Sequence, residues 1–278
     1  MKLETTIQDC INLPSPIAIS SVKWARKPTQ ERGIICGADS SQEWLLPWWW
    51  ERYSAENAYP VTFCDFGMSQ EAKEWCTKRG EVIAIPFDPT LVTPYEDVDP
   101  LLVKQWETCY TSTVWDFRPV WFKKPFALLQ SPYKRGVWLD LDCEILQSIE
   151  PLFEFCGAQE QLGIMREFTW QHLLKFSPAI VYNSGVIVFE HGAPIIEQWA
   201  EGSLTLNHLF WGDEVLLSHL IQQMQLDVFE LPGIYNWRLS QGMNLNAVIV
   251  HWLGGGGKSF IRQFGGLKPS LREFMSGV

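Results

Sequence analysis

The sequence has no apolar run approaching the ~18 residues that a membrane-spanning helix requires. Its opening stretch, MKLETTIQDCINLPSPIAIS, lacks both the basic start and the unbroken apolar segment of a secretory signal, and carries Glu4, Asp9 and two prolines instead. This predicts a cytoplasmic protein, with export by another route left open. Positive charge is scarce. Lys and Arg number 22 against 32 Asp and Glu, a net charge of −10. No basic stripe is visible, so no nucleic-acid partner is expected. The acidic balance does not exclude phosphate ligands, because a divalent cation can bridge carboxylate to phosphate. CxxC pairs are absent as well. The seven cysteines, an odd number without regular spacing, fit reduced thiols better than a disulfide framework, and no zinc site is suggested.

Internal repeats and obvious linkers are also missing. With 278 residues, 46% of them hydrophobic, the chain can bury a large core. The expected organisation is an irregular lead-in over 1–32, followed by a single domain over 33–278. What is abundant is tryptophan, with fifteen residues. Indole rings stack well on sugar C–H faces, but their commoner use is as core volume.

Short apolar runs alternate with helical patterns, which predicts an α/β fold with a mostly parallel sheet. Gly33–Ala38 ends at Asp39, Val61–Cys64 ends at Asp65, and Glu81–Ile85 is a third strand. Between them, 42–53 and 69–79 read as helices, the second with Ser69 as N-cap. A proline-rich, acidic loop over 86–100 precedes helical patterning over 101–130. Further strands are expected at 136–142, 162–165, 179–182, 186–189 and 247–250, with 226–231 extended and a helix over 211–224.

The sharpest motif is Asp140-Leu141-Asp142 at the end of an apolar strand. Strand side chains alternate, so the two carboxylates are expected on one face, beyond the carboxyl edge of the sheet where α/β proteins bind ligands. Paired carboxylates there suit Mg²⁺ or Mn²⁺. A second triplet, Asp97-Val98-Asp99, lies in the proline-rich loop and reads as solvated. An EF-hand is excluded, because Ile145 and Pro151 stand where glycine and glutamate are needed. His251 follows the last strand and can supply a third ligand; the glycines from Gly254 onward and Lys258 can serve an anion, or form only a flexible loop. A Walker A loop does not fit, since Trp252 occupies a required glycine position. Asn183-Ser184-Gly185 reads as a ligand-lining strand break or a β-bulge. Asp213 and Glu214 open a helix, where Asp213 can also simply answer the helix dipole.

Five segments in order, GIICGAD (33–39), KRGVWLDLDCEIL (134–146), VYNSGVIVF (181–189), GDEVLLSHL (212–220) and VHWLGGGGK (250–258), resemble the GT-A glycosyltransferases, and most closely family 8, the group of glycogenin and the bacterial galactosyl- and glucosyltransferases. The resemblance implies a Rossmann-like α/β domain with a central mixed, mostly parallel sheet. It implies a nucleotide-sugar donor, commonly a UDP-sugar, with Mn²⁺ or Mg²⁺, a carbohydrate, protein or lipid acceptor, and retention of configuration. By that resemblance Asp140, Asp142 and His251 bind the metal. Ala38 and Asp39 hold base and ribose, and Lys123, with Lys124 as an equal register, touches donor phosphate or sugar. Asn183 and Gly185 line the sugar pocket, and Asp213 contacts sugar hydroxyls. Gly254 and Lys258 face the diphosphate.

Two departures stand out. The family lysine comes one residue late, with Ser259-Phe260 in place of Pro-Trp, and Glu214 stands where the family commonly has glutamine. A carboxylate there can act as nucleophile, stabilise oxocarbenium-like charge or support hydrolysis. The rival readings are a haloacid-dehalogenase-type phosphatase with Asp140 as nucleophile, and a non-catalytic binding module. The mixed basic and apolar residues of 258–274 permit peripheral membrane contact, although Gly265-Gly266 and Pro269 interrupt any long helix, which favours a packed tail.

Overall fold

The computed structural model describes residues 21–156, 161–167 and 180–267. Most of the lead-in, Ala179 at the start of an expected strand, and the end of the 258–274 segment lie outside these residues.

The chain runs β1 (Gln30–Ala38), α1 (Leu45–Glu56), β2 (Val61–Asp65), α2 (Gln70–Thr77), β3 (Glu81–Ala84), α3 (Pro100–Tyr110), α4 (Val114–Trp121), α5 (Lys124–Leu129), β4 (Tyr133–Leu139) and β5 (Cys143–Ile145). It continues through β6 (Leu162–Arg166), β7 (Tyr182–Glu190), α6 (Pro194–Thr205), α7 (Asp213–Gln223), β8 (Phe229–Glu230), β9 (Ile249–His251) and α8 (Gly254–Phe264). Seven strands form one sheet in the order β3-β2-β1-β4-β7-β6-β8. The β3-β2-β1-β4 half is parallel, β7 runs antiparallel to both its neighbours, and β6 and β8 are parallel. This is the mixed, mostly parallel sheet expected from the alternating pattern.

The central strands are apolar on both faces because both are covered. Ile35, Trp138, Ile187 and Phe189 pack with α3 to α7, while Ile34, Cys36, Val137, Leu139, Val186 and Val188 pack with α1 and Ile261 of α8. Alternate residues of one strand thus feed opposite layers. Trp49, Trp106, Trp138 and Trp199 are among the largest fully buried side chains, and no described tryptophan is exposed. Among the described residues the six cysteines are free thiols. No described helix is long and apolar enough to cross a membrane.

Three local expectations change. First, β4 ends at Leu139, and Asp140 to Asp142 form a turn closed by Cys143 N–H donating to Asp140 O at 3.0 Å. The carboxylates are therefore gathered by a turn and not by strand alternation. Second, Tyr182–Glu190 is one strand whose pairing with β6 jumps from Ile164↔Ile187 to Met165↔Asn183, so the Asn183-Ser184-Gly185 segment sits at a bulge inside a continuous strand. Third, the four glycines form the first turn of α8. At Gly257 a Cβ would lie 2.3 Å from Trp252 O, so a bare backbone is what lets this turn fold back against the chain.

Candidate functional site

The parallel strands β1, β2 and β4 end in Ala38-Asp39, Asp65 and Leu139-Asp140, so their acids share the carboxyl edge of the sheet. Beyond that edge the short β5–β9 ribbon decides the geometry. Cys143 pairs with His251, and Trp252 N–H donates to Asp142 O at 2.9 Å. Two segments more than a hundred residues apart are thereby stitched together, and His251 arrives beside the acidic turn. His251 Nε2 lies 3.2 Å from Asp142 Oδ1 and 4.0 Å from Asp140 Oδ2. Cys143 Sγ lies within 4.8 Å of the Asp142 and His251 ligand atoms. Burial pushes that thiol well up, so it is held as S–H, a poor donor to a hard cation.

Lys258, projecting from α8, places Nζ 2.5 Å from Asp142 Oδ2. Burial opposes ionisation of Asp142, but Lys258 and His251 outweigh it and hold the carboxyl far below the usual carboxylate range. Asp140 is bound differently. Trp138 Nε1–H donates to its Oδ1 at 2.6 Å, and Lys124 Nζ lies 3.1 Å from the same oxygen. Lys124 also donates to Ser184 Oγ at 2.9 Å and lies 3.4 Å from Asp213 Oδ2. Burial lowers the Lys124 pKa, but Asp140 and Asp213 more than reverse this, so the ammonium is strongly favoured.

The residues expected at the sugar pocket are joined by hydrogen bonds. Ser184 Oγ–H donates to Asp213 Oδ2 at 2.9 Å, and Asn183 Nδ2–H donates to Glu214 Oε2 at 2.9 Å. Asp213, at the start of α7, is buried; burial raises its pKa, Lys124 pulls it down and Asp140 pushes it up, for a net rise. Glu214 is pushed up to about 8, first by burial, then by the Asp213 and Glu167 carboxylates, against Arg238 and Lys124. Glu167 and Arg238 are themselves a buried ion pair.

Asp39 accepts at Oδ1 from Ser41 N–H, Ser41 Oγ–H and Gln42 N–H, at 3.0, 2.8 and 2.9 Å, which caps the turn leading into α1. Lys123 donates to Phe66 O at 2.7 Å. Burial lowers its pKa, and Asp39 and Asp65 favour its charge. Of the two lysine registers, Lys124 therefore joins the Asp140 cluster, while Lys123 serves the β1–β2 end. Gly254 is exposed at the N-terminus of α8 with φ of +67°. The fold brings Asp140, Asp142, His251, Lys258, Asn183, Gly185, Asp213 and Glu214 into one connected cluster. Asn236, Glu167 and Arg238 carry no sequence motif and join it only through tertiary contact.

Comparison with known proteins leaves the chain without a matching family model or a matching curated protein. Solved structures do match. Galactosyltransferase LgtC, solved in complex with donor and acceptor sugar analogues, aligns at 12% identity and a TM-score of 0.53 over 88% of this chain and 100% of its own. Glycosyltransferase GlyE of Streptococcus pneumoniae TIGR4 aligns at 14% identity and a TM-score of 0.56 over 90% of this chain and 64% of its own. The bifunctional glycosyltransferase WbbM aligns at 10% identity and a TM-score of 0.53 over 88% of this chain and 52% of its own. Likeness at such low identity shows the fold, and the fold is that of the GT-A glycosyltransferases.

Proposed function

We propose that this chain transfers a sugar from a nucleotide-sugar donor, a UDP-hexose, to an acceptor, using a divalent cation and retaining anomeric configuration, in the manner of family 8. The observation that carries the reading is the convergence of His251 Nε2 on Asp142 Oδ1 at 3.2 Å and Asp140 Oδ2 at 4.0 Å, at the ligand-binding edge of a GT-A fold.

The donor set suits the cation. Two carboxylates and an imidazole nitrogen form a hard donor set for Mn²⁺ or Mg²⁺. When bound there, such an ion supplies Lewis-acid stabilisation of the departing diphosphate. The remaining work falls to the chain. Lys258, already within reach of Asp142, and the amides that open α8 from Gly254 add positive potential for the diphosphate. Ala38 and Asp39 take the base and ribose at the end of β1, with Lys123 beside them. Asn183, Gly185 and Asp213 line the sugar pocket, with Lys124 holding Asp213 and Asp140 apart as a shared counter-charge.

Glu214 is the candidate for the anomeric centre. Its anionic form is disfavoured by burial and by Asp213 and Glu167. Positive charge developing at an anomeric carbon offsets that penalty in the transition state more than in the ground state, which is what a catalytic carboxylate requires. The phosphatase alternative is not favoured, because the Asp140 carboxylate is engaged by Trp138 and Lys124 and is not presented as a free nucleophile.

The test is a panel of nucleotide-sugars incubated with Mn²⁺ and scored for released nucleoside diphosphate. Turnover should disappear on chelation and in Asp140→Ala. Turnover that survives both, or release of phosphate from simple phosphomonoesters instead, overturns the reading. Donor binding without product under any acceptor would identify a non-catalytic module.

A further inference from the structure

We infer that Asn236 is a positioning residue that joins the two halves of the site. It sets the tautomer of His251 at one end and holds Asn183 against Glu214 at the other. The first of these parts rests on the metal reading given above.

The hydrogen-bond chain begins at a backbone amide. Gly185 N–H donates to the side-chain amide of Asn183 at 3.1 Å. A backbone N–H can only donate, so the Asn183 atom it meets is Oδ1. The other end of that amide, Nδ2, donates to Glu214 Oε2 at 2.9 Å. The same Asn183 Oδ1 lies 2.8 Å from the Asn236 amide, which must therefore present Nδ2. Asn236 Oδ1 is then turned to His251 Nδ1 at 2.9 Å. A carbonyl oxygen only accepts, so Nδ1 carries the proton. One immovable N–H thus propagates direction through three side chains and fixes a proton on Nδ1, so that in the neutral ring the lone pair belongs to Nε2, the nitrogen that faces Asp142 and Asp140. That is the tautomer a metal ligand needs.

Asn236 is fully buried, so it cannot exchange these partners for water. It is also clamped by its own backbone. Its N–H donates to Gly233 O at 3.2 Å, and the next residue is laced to β9 through Trp237 N–H to Ile249 O at 2.9 Å and His251 N–H to Trp237 O at 2.8 Å. Asn236 and His251 therefore move as one unit. Asn236 is closed off from solvent and each of its amide atoms has a partner inside the protein, which separates its part from that of a catalytic residue.

The experiment compares wild type, Asn236→Leu and Asn236→Asp. In metal-free protein at alkaline pH, long-range ¹H–¹⁵N correlation of the His251 ring reports which nitrogen is protonated. Mn²⁺ titration followed by electron paramagnetic resonance reports affinity, and nucleotide-sugar turnover gives kcat and KM. The wild type should carry the proton on Nδ1. Asn236→Leu should release it to Nε2 and weaken Mn²⁺ binding by about 10–100-fold. Asn236→Asp keeps an acceptor for Nδ1–H but sets a carboxylate against Asn183 Oδ1. It should hold the tautomer and Mn²⁺ affinity while kcat falls. A wild-type ring protonated on Nε2, or an Asn236→Leu ring unchanged from wild type, overturns the inference. Should Asn236→Leu fail to fold, the wild-type spectrum and the split in Asn236→Asp decide the matter. Wild-type protein that takes up no Mn²⁺ yet protonates Nδ1 would remove the metal reading alone and leave the tautomer-setting role standing.

Discussion

The Cβ that Gly185 lacks would lie 2.1 Å from His251 Cε1 and 2.6 Å from its Nδ1. The imidazole therefore packs directly against bare β7 backbone, and the glycine is a spatial requirement of the site. Gly185→Ala is expected to push His251 away from Asp142 and to break the Gly185 N–H to Asn183 contact. The stability loss should be that of overpacking, ~1–3 kcal/mol, whereas Mn²⁺ affinity and turnover should fall far more than a stability loss of that size explains. Thermal melts beside Mn²⁺ titration check this. A variant with intact metal binding would show that the ring can move without consequence.

Lys124 and Lys123 are adjacent, yet they are expected to behave differently. Lys124 is buried among Asp140, Asp213 and Ser184, and its removal leaves two carboxylates facing each other without their shared cation. Lys124→Ala should destabilise the fold by ~3–5 kcal/mol, the range for breaking a buried pair. Lys123→Ala removes a bond to the Phe66 carbonyl and should be much milder, while weakening nucleotide binding if the β1 end holds the base. Denaturant unfolding of the two variants provides the comparison; equal losses would contradict it.

Residue chemistry made part of this site legible. Asp140, Asp142 and His251 stand out because few other roles suit two acids and an imidazole at strand ends, and the apolar runs of β1, β2 and β4 mark a sheet buried on both faces. Other parts could not be read from local pattern. The glycines of α8 read as a loop because intrinsic propensity opposes a helix there; packing against Trp252 and burial of Ile261 override it. The choice between Lys123 and Lys124 depends on the angle at which α5 leaves its first residue, which sequence spacing does not fix. Asn236 is a lone asparagine after a Pro-Gly turn. Its partner Asn183 lies 53 positions away, so its role exists only in the folded chain.

Glu214 gives a pH signature with a definite sign. Its carboxyl ionises ordinarily near 4.5 and is pushed up to about 8 in the fold. Between those values the folded protein keeps a proton that the unfolded chain has released. Stability should therefore fall as pH rises through that window, by at most about 1.4 kcal/mol per pH unit for a single group. Asp213, Glu167, Arg238 and Lys124 all face this carboxyl, and the slope reports their summed field. Glu214→Gln should flatten the profile and gain most relative to wild type at the alkaline end. Urea unfolding of metal-free protein across the window tests it; parallel profiles for the two proteins would mean that Glu214 is ionised throughout.

Lys258 should have opposite effects on the two ligands of the proposed reaction. Its ammonium sits 2.5 Å from Asp142 Oδ2, so a cation approaching that carboxylate meets a charge already in place. A charge-assisted hydrogen bond contributes ~1.5–3 kcal/mol. Removing the competitor should then strengthen Mn²⁺ binding in the absence of nucleotide by roughly tenfold or more, since 1.4 kcal/mol is a factor of ten. The same change deletes positive charge near the amides that open α8, so binding of a nucleoside diphosphate in the presence of Mn²⁺ should weaken. Calorimetric titration of Lys258→Ala with Mn²⁺ alone, and then with UDP at saturating Mn²⁺, separates the two. Weaker binding in both titrations would mean that Lys258 holds the acidic turn in shape and does not compete for it. Tighter binding in both would remove Lys258 from the diphosphate site altogether.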